Sequence, residues 1–116
     1  MINEKLINWS KEFNVAITIC DHEGKILEMN DKACETFAKD GGIKLVGQSV
    51  FDCHPERAQK ILKGLLENQQ TNCYTIEKNS VKKLIYQAPW YENGKYSGFI
   101  EFSLTIPFEI PHFIRK

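Results

Sequence analysis

The sequence predicts an α+β domain in which a five-stranded antiparallel sheet carries helices on one face, preceded by an N-terminal amphipathic helix. Three observations predict this fold class. Two short β-like runs flank a tight turn between residues 15 and 29, which is typical of a hairpin. A helical apolar stripe occupies residues 55–68. Three strand-like segments separated by turn residues then fill residues 72–106.

Length and charge limit the kind of protein this can be. The 116 residues suffice for one domain with a single core. Fifteen basic and fifteen acidic side chains cancel, so no long-range field favours nucleic acid or an anionic membrane surface. No apolar run approaches the length of a membrane span, and the amino terminus lacks the layout of a secretory signal. We expect a cytoplasmic protein with no nucleic-acid and no membrane partner.

The first element is the N-terminal helix, predicted over residues 1–13. Its apolar side chains recur at spacings of four, three and four: Ile2, Leu6, Trp9 and Phe13. The stripe is a docking surface, either for the chain's own domain or for a second subunit.

The domain proper is predicted over residues 14–106, and its first hairpin leads into a short helix. The β-branched run Val15–Cys20 precedes turn residues Asp21 and Gly24, and Asn30 is placed to cap the next helix. That helix is predicted from Asp31 to Lys39, because two glycines follow at positions 41 and 42. A brief helical turn is expected over residues 44–46.

The longest helix should begin at Pro55, which suits the first helical position, with His54 or Asp52 near the cap. It should end near Asn68. One apolar stripe runs along it: Ala58, Ile61, Leu62, Leu65 and Leu66.

The last three strands are predicted over residues 72–78, 83–91 and 96–106. Pro89 lacks an amide donor, which places that end of its strand at a sheet edge or bulge. Asn93-Gly94 indicates a tight hairpin. On the last strand, alternation gives a predicted core face of Gly98, Ile100, Phe102, Leu104 and Ile106. Glu101 lies on the opposite parity, and we expect it to be solvated.

The four cysteines, Cys20, Cys34, Cys53 and Cys73, lack the short paired spacings of a disulfide framework. Cys20 and Cys34 fall in predicted core elements, where cysteine acts as a small apolar residue.

Three segments together resemble the PAS family of small sensor domains. The spacing of Asp21, Gly24, Ile26, Asn30, Ala33 and Phe37 is similar to the opening half of a PAS domain. Residues 46–56 are similar to the segment before its longest helix, and residues 93–101 to its final hairpin. The likeness spans residues 14–106. It implies a sensory, signal-transducing module that is not an enzyme and that binds a small ligand, a protein partner or both.

The resemblance implies a ligand site between the inner sheet face and the helices. The predicted site residues are Ile19, Met29, Phe37, Phe51, Ile61, Leu65, Tyr74, Tyr86, Phe102 and His54, with Ile17, Leu84 and Ile100 as further lining. A small apolar ligand would suit them, but ordinary core packing explains the same residues. The hydroxyls of Tyr74 and Tyr86 would either bond a ligand or reach the surface.

The segment Asp52-Cys53-His54-Pro55 places a carboxylate, a thiol and an imidazole at a helix start. These residues are compatible with a haem- or metal-binding redox or gas sensor. The alternative is a structural role, in which His54 caps the helix and Cys53 is buried. Haem-binding relatives take their axial histidine from the long helix, and residues 55–68 contain none. Flavin is not expected, because the residues around Cys53 depart from the flavin photoreceptor motif. A small enzyme using Cys53, His54 and an acid is the weakest alternative.

Most PAS domains join an output module through an Asp-Ile-Thr signature, where this chain has Leu104-Thr105-Ile106-Pro107. We therefore expect signalling by contact with a separate effector protein, from a homodimer. The apolar tail over residues 107–116 contains two prolines and should be extended, lying on its own domain or on a partner.

Overall fold

The computed structural model describes residues 8–116, apart from the side chain of Cys53. In this part of the chain the elements are β1 (Ala16–Asp21), β2 (Ile26–Met29), α1 (Asp31–Thr36), α2 (Glu56–Asn68), β3 (Asn72–Lys78), β4 (Val81–Glu92) and β5 (Lys95–Ile106). Three short 3₁₀ turns, at Ala38–Asp40, Gly42–Leu45 and Val50–Cys53, connect α1 to α2.

The five strands form one antiparallel sheet in the order β2-β1-β5-β4-β3. The last strand therefore lies at the centre, with the first strand on one side and β4 on the other. The helical crossover between β2 and β3 carries the chain from one edge of the sheet to the other. This arrangement confirms the predicted fold class.

Asn30 fixes the junction between the first hairpin and α1. Its Oδ1 accepts hydrogen bonds from the amides of Ala33 and Ile17, both at 2.9 Å. Its Nδ2 donates to the carbonyls of Ser10 and Val15, at 2.8 and 2.7 Å. The predicted N-cap is confirmed, and the same side chain also ties the entry segment and β1 to the helix.

Helix α2 begins at Glu56, one residue later than predicted, with Pro55 at the cap position and no side-chain capping bond there. The Gln59 side chain instead donates to the carbonyls of Phe51 and His54, at 2.7 and 2.8 Å. The helix ends at Asn68 as predicted, because Gln69 takes the left-handed conformation.

The β4–β5 hairpin turns at Asn93 and Gly94, which both have positive φ, as predicted. Pro89 pairs with Phe99 of β5 but lies beyond the end of β3, so its missing amide faces an unpaired edge. A register shift after Trp90 brings that residue opposite Gly98.

The N-terminal end of the described chain differs from expectation. Residues 8–13 form turns rather than a helix, and Ile2 and Leu6 lie outside the described residues. Trp9 and Phe13 stack edge to face, with ring centroids 5.7 Å apart, and both are exposed. Residues 107–116 are exposed and belong to no helix or strand, and the carbonyl of Phe108 accepts a hydrogen bond from Lys82 Nζ at 3.4 Å.

A cluster of buried core residues lies between β1, β5 and α2. Cys20, Leu65, Leu66 and Phe99 are buried together, with Val50 and Phe51 packed against them. Among the described residues, no helix combines the length and apolarity needed to cross a membrane.

Candidate functional site

A cavity of about 460 Å³ lies between one face of the sheet and the helical crossover. Strand residues from β1, β3, β4 and β5 form its floor, α1 and the 3₁₀ turns form one wall, and α2 forms another. The apolar lining includes Cys20, Ile26, Met29, Phe37, Leu45, Val50, Leu62, Leu66, Ile85 and Phe99. This size and predominantly apolar lining are typical of a small-molecule site.

The floor of the cavity corrects the predicted sheet faces. On β5 the inward residues are Phe99, Glu101 and Ser103, and Ile100 and Phe102 therefore face the opposite side. On β4 the inward residues are Lys83, Ile85 and Gln87, which turns Leu84 and Tyr86 outward. The prediction was wrong because it assigned the more apolar parity to the core, whereas the inner face lines a hollow and carries polar side chains.

Of the ten predicted site residues, four line the cavity: Met29, Phe37, Tyr74 and His54. Phe51 and Leu65 pack in the adjoining core instead. Ile61 is 58% exposed on the outer side of α2, where Leu62 takes the inward position.

The remaining three predicted residues, Ile19, Tyr86 and Phe102, have the outward parity. Phe102 pairs with Tyr86 on β4 and with Ile17 on β1, and Ile19 pairs with Ile100. Ile17, Leu84 and Ile100, the further predicted lining, share this outer face.

A polar row crosses the cavity floor. The strand register aligns Asn72, Gln87, Glu101, Thr18 and Met29 side by side on β3, β4, β5, β1 and β2. Asn72 Nδ2 donates to Gln87 Oε1 at 3.0 Å, and Gln87 Nε2 donates to Glu101 Oε2 at 2.7 Å. This chain of hydrogen bonds ends on the carboxylate of Glu101, which can accept further hydrogen bonds.

Burial raises the pKa of the Glu101 carboxyl, although the hydrogen bond from Gln87 and the nearby charge of His54 both act to lower it. Desolvation wins because the charged form loses water that a single amide bond does not replace. The residue keeps some accessible surface, and that surface belongs to the cavity. The same environment raises the pKa of Tyr74, by burial and by the charge of Glu101.

His54 sits at the junction of the last 3₁₀ turn and α2, and it lines the cavity. Its Nδ1 lies 2.6 Å from the carbonyl oxygen of Val50. A carbonyl only accepts, so Nδ1 carries the proton and a neutral ring keeps its Nε2 lone pair free. The ring can therefore accept a hydrogen bond or ligate a metal through Nε2.

The chain resembles known proteins in its structure but has no match by sequence. No protein-family model matches the chain, and no curated protein matches it either. The structure resembles the PAS domain of an HTR-like protein from Haloarcula marismortui, at 14% identity over 90% of this chain and 92% of that one, with a TM-score of 0.62. This chain has the PAS fold.

Two further PAS structures show the same likeness. The PAS domain of the histidine kinase ThkA is 19% identical over 78% of this chain and 98% of that one, with a TM-score of 0.60. The Aer2 receptor from Vibrio cholerae, described as a dual PAS-haem oxygen sensor, is 18% identical over 80% and 95%, with a TM-score of 0.58.

Sequence reasoning missed Glu101 and Gln87 as site residues, although they are hydrogen-bonded to each other on the floor of the cavity. Counting outward from the Asn93-Gly94 turn without an irregularity would pair Gln87 with Ile100. The register shift between Trp90 and Tyr91, which the sequence does not reveal, brings Gln87 opposite Glu101.

Cys20 lines the cavity but is not a reactive thiol. Burial raises its pKa to about 11, so the thiolate is scarce at neutral pH. Cys20, Cys34 and Cys73 are all free thiols. Cys20 behaves as the small apolar core residue that the sequence predicted.

Proposed function

We propose that this chain is a sensory, signal-transducing module that binds a small molecule in the cavity between the sheet and the helices. The observation that carries the proposal is the cavity itself, about 460 Å³ with a mainly apolar lining and the partly buried carboxylate of Glu101 at its floor. A domain that folded only for stability would fill this space with side chains, because protein interiors tolerate few voids. The PAS neighbours, which include a histidine kinase domain and a receptor, support the sensory role.

Two adjacent aliphatic positions on α2 provide a matched test. Leu62 lines the cavity, and its neighbour Ile61 is 58% exposed on the other side of the helix. We expect Leu62→Trp to fill the hollow and Ile61→Trp to leave it open. Both variants carry the same added ring, so a difference between them reports the cavity.

Native mass spectrometry of freshly purified protein gives the readout. We expect wild type and Ile61→Trp to retain or take up the same small molecules, and Leu62→Trp to lose them. Equal binding by Leu62→Trp would place the ligand elsewhere. A wild-type protein that takes up neither co-purified nor added small molecules would contradict the proposal.

A haem-loaded version of the same module is a second candidate, and the geometry of His54 favours it. The Nδ1 bond to Val50 orients the ring and leaves Nε2 available as an axial ligand. Histidines that ligate a metal through one ring nitrogen commonly donate from the other nitrogen to a backbone carbonyl. When bound, haem would supply gas or redox sensing. A protein-only metal site has less support, because no three His, Cys, Asp or Glu side chains come together among the described residues.

Absorbance spectra of protein produced with added iron and haem test this candidate. We expect a Soret band that His54→Ala abolishes and that His22→Ala keeps, since His22 is an exposed residue of the β1–β2 turn. A colourless wild-type protein, or unchanged loading in His54→Ala, would rule it out.

A further inference from the structure

Glu101 is a partly buried acid that the fold alone does not explain. It occupies the middle of the central strand β5, on the face that lines the cavity. Removing part of a carboxylate from water is costly unless a partner compensates for the lost hydration. A partner in the cavity would offset that cost.

The hydrogen bonds on the floor leave one half of this carboxylate unused. The amide donors run in one direction, from Asn72 to Gln87 and from Gln87 to Glu101 Oε2. An ionised carboxylate can only accept, so it fixes this direction and the row acts as a support for negative charge. Within the described part of the chain, Oε1 accepts no hydrogen bond from a side chain or an amide.

No ion pair in that part of the chain includes Glu101, although the charge of His54, which lines the same cavity, acts to lower the pKa of the Glu101 carboxyl. The ion pairs there are Lys11–Asp31 and Lys32–Glu35, both on the surface. Lys83 lines the cavity, but it lies four residues along β4 from Gln87, which is roughly 13 Å at about 3.3 Å per residue. Exposed Lys39 and Lys78 also belong to the lining, and Asp40 lies beside Lys39.

These lysines do not determine whether the cavity prefers a cationic or an anionic ligand. None of them forms an ion pair with Glu101, and charges that reach solvent are screened over a Debye length of about 8 Å at physiological salt. A group that touches Glu101 inside the cavity interacts at about 3 Å in a medium of lower dielectric constant, where attraction is far stronger. Contact with the carboxylate therefore outweighs the field of the lysines.

We propose that the cavity takes a small molecule bearing a protonated amine, whose ammonium group donates to Glu101 Oε1 while its apolar part packs against Ile85 and Phe99. The ligand supplies a hydrogen-bonded counter-charge, which no side chain of the described residues gives to Glu101 Oε1. This inference rests on the proposed function, because it names the chemical class of ligand for the same cavity.

Three probes of equal size and different charge test the proposal on the full chain. Benzylamine is a cation, benzyl alcohol is neutral, and benzoate is an anion at neutral pH. Binding is followed by amide chemical shifts of the inner-face residues on β4 and β5. We expect benzylamine to bind at least about tenfold more tightly than the other two, which corresponds to about 1.4 kcal/mol.

Glu101→Gln removes the charge but keeps an acceptor for Gln87, so we expect a folded variant that binds benzyl alcohol as before. Its preference for benzylamine should disappear. Glu77→Gln, on the exposed edge strand β3, should keep the preference.

The outcomes separate the inference from the proposed function. Three results would contradict the amine proposal but not ligand binding in the cavity. They are equal binding of benzylamine and benzyl alcohol, stronger binding of benzoate, or a preference for benzylamine that survives Glu101→Gln. Absence of binding by all three probes at millimolar concentration would overturn both.

Discussion

Glu101 occupies a position that a close-packed core would give to an apolar side chain. Its hydrogen bond from Gln87, at 2.7 Å, offsets only part of the loss of hydration, and its pKa is raised by burial. At the scale of single residues, Glu101 is the side chain most directly related to function, because a bound cation would offset the desolvation free energy of its carboxylate.

That cost should appear in the pH dependence of stability. A carboxyl whose folded-state pKa is raised holds its proton more tightly when folded, so stability falls as pH rises from the ordinary value of 4.5 through the folded-state pKa. We expect Glu101→Gln to be more stable than wild type above that window, by about 1.4 kcal/mol for each unit of pKa elevation. The gap should close as pH falls towards 4.5.

Chemical denaturation at several pH values measures this gap. Glu92→Gln, which changes an exposed acid at the end of β4, serves as the control and should leave the unfolding free energy nearly unchanged. A Glu101→Gln protein that is less stable than wild type at neutral pH would mean that the carboxylate is stabilising where it lies.

Asn30 is the second residue with an outsized role, because one side chain holds the entry segment, β1 and α1 together. We expect Asn30→Ala to cost about 2–4 kcal/mol, combining a lost cap with buried backbone groups left unpaired. Asn30→Asp should also destabilise, since a carboxylate would face the carbonyls of Ser10 and Val15 in place of the amide donors.

The aspartate variant separates the two roles of Asn30. Aspartate caps helices as well as asparagine does, so a residue that only capped α1 would tolerate the change. Ser49→Ala is the control, because Ser49 caps a 3₁₀ turn through one bond to the Phe51 amide and should cost about 1 kcal/mol or less. Denaturant unfolding in which Asn30→Asp matches wild type would contradict the account.

At the scale of elements, Gly98 allows three neighbouring strands to approach closely. A Cβ there would collide with the carbonyl oxygen of Cys20 on β1 and the backbone of Asp21. Trp90 on β4, directly opposite Gly98, donates its indole N–H to that same Cys20 carbonyl at 3.0 Å. The absent side chain thus lets β4 bond to β1 across β5.

Two glycines of positive φ allow this to be tested. Gly98 has φ 144° and blocked space, whereas Gly94 has φ 80° and open space, with no neighbouring atom within 4 Å of where a Cβ would stand. We expect Gly94→Ala to cost about 1–2 kcal/mol from backbone strain alone. Gly98→Ala should cost more than about 3 kcal/mol, because the backbone of β1 must move.

Thermal or denaturant unfolding compares the two variants. Equal losses at both positions would show that strain, and not the close approach of β1, governs Gly98. A near-native indole environment in the Gly98→Ala protein, read from the fluorescence of Trp90 beside that of Trp9, would argue the same way.

At the scale of the whole molecule, the order of elements was predictable because local chemistry specifies it. The Asn30 cap of α1 and the Asn93-Gly94 turn depend on residues a few positions away, and both predictions were confirmed. The helix predicted from the apolar stripe is present as α2, but Ile61 of that stripe is exposed. The inner face was not predictable in the same way. Ile100 and Phe102 are more apolar than Glu101 and Ser103, yet they face outward, because a cavity needs polar groups where a core would not.

Homodimerisation stays a prediction at this scale. Trp9 and Phe13, 62% and 50% exposed, present a stacked aromatic pair that a second copy could cover. We expect a dimer in sedimentation equilibrium that Trp9→Asp dissociates and that Tyr91→Asp, another exposed aromatic position, leaves intact. A wild-type monomer at all concentrations, or a Trp9→Asp protein that still dimerises, would remove this pair from the interface.

The central claim is that the sheet face carrying Glu101 lines a hollow that receives a cationic ligand. A titration of the Glu101 carboxyl carbon by NMR, with and without benzylamine, tests it most directly. The account predicts a pKa above the ordinary glutamate value in the free protein and a lower pKa when the amine is bound. An ordinary pKa that the amine leaves unchanged would contradict it.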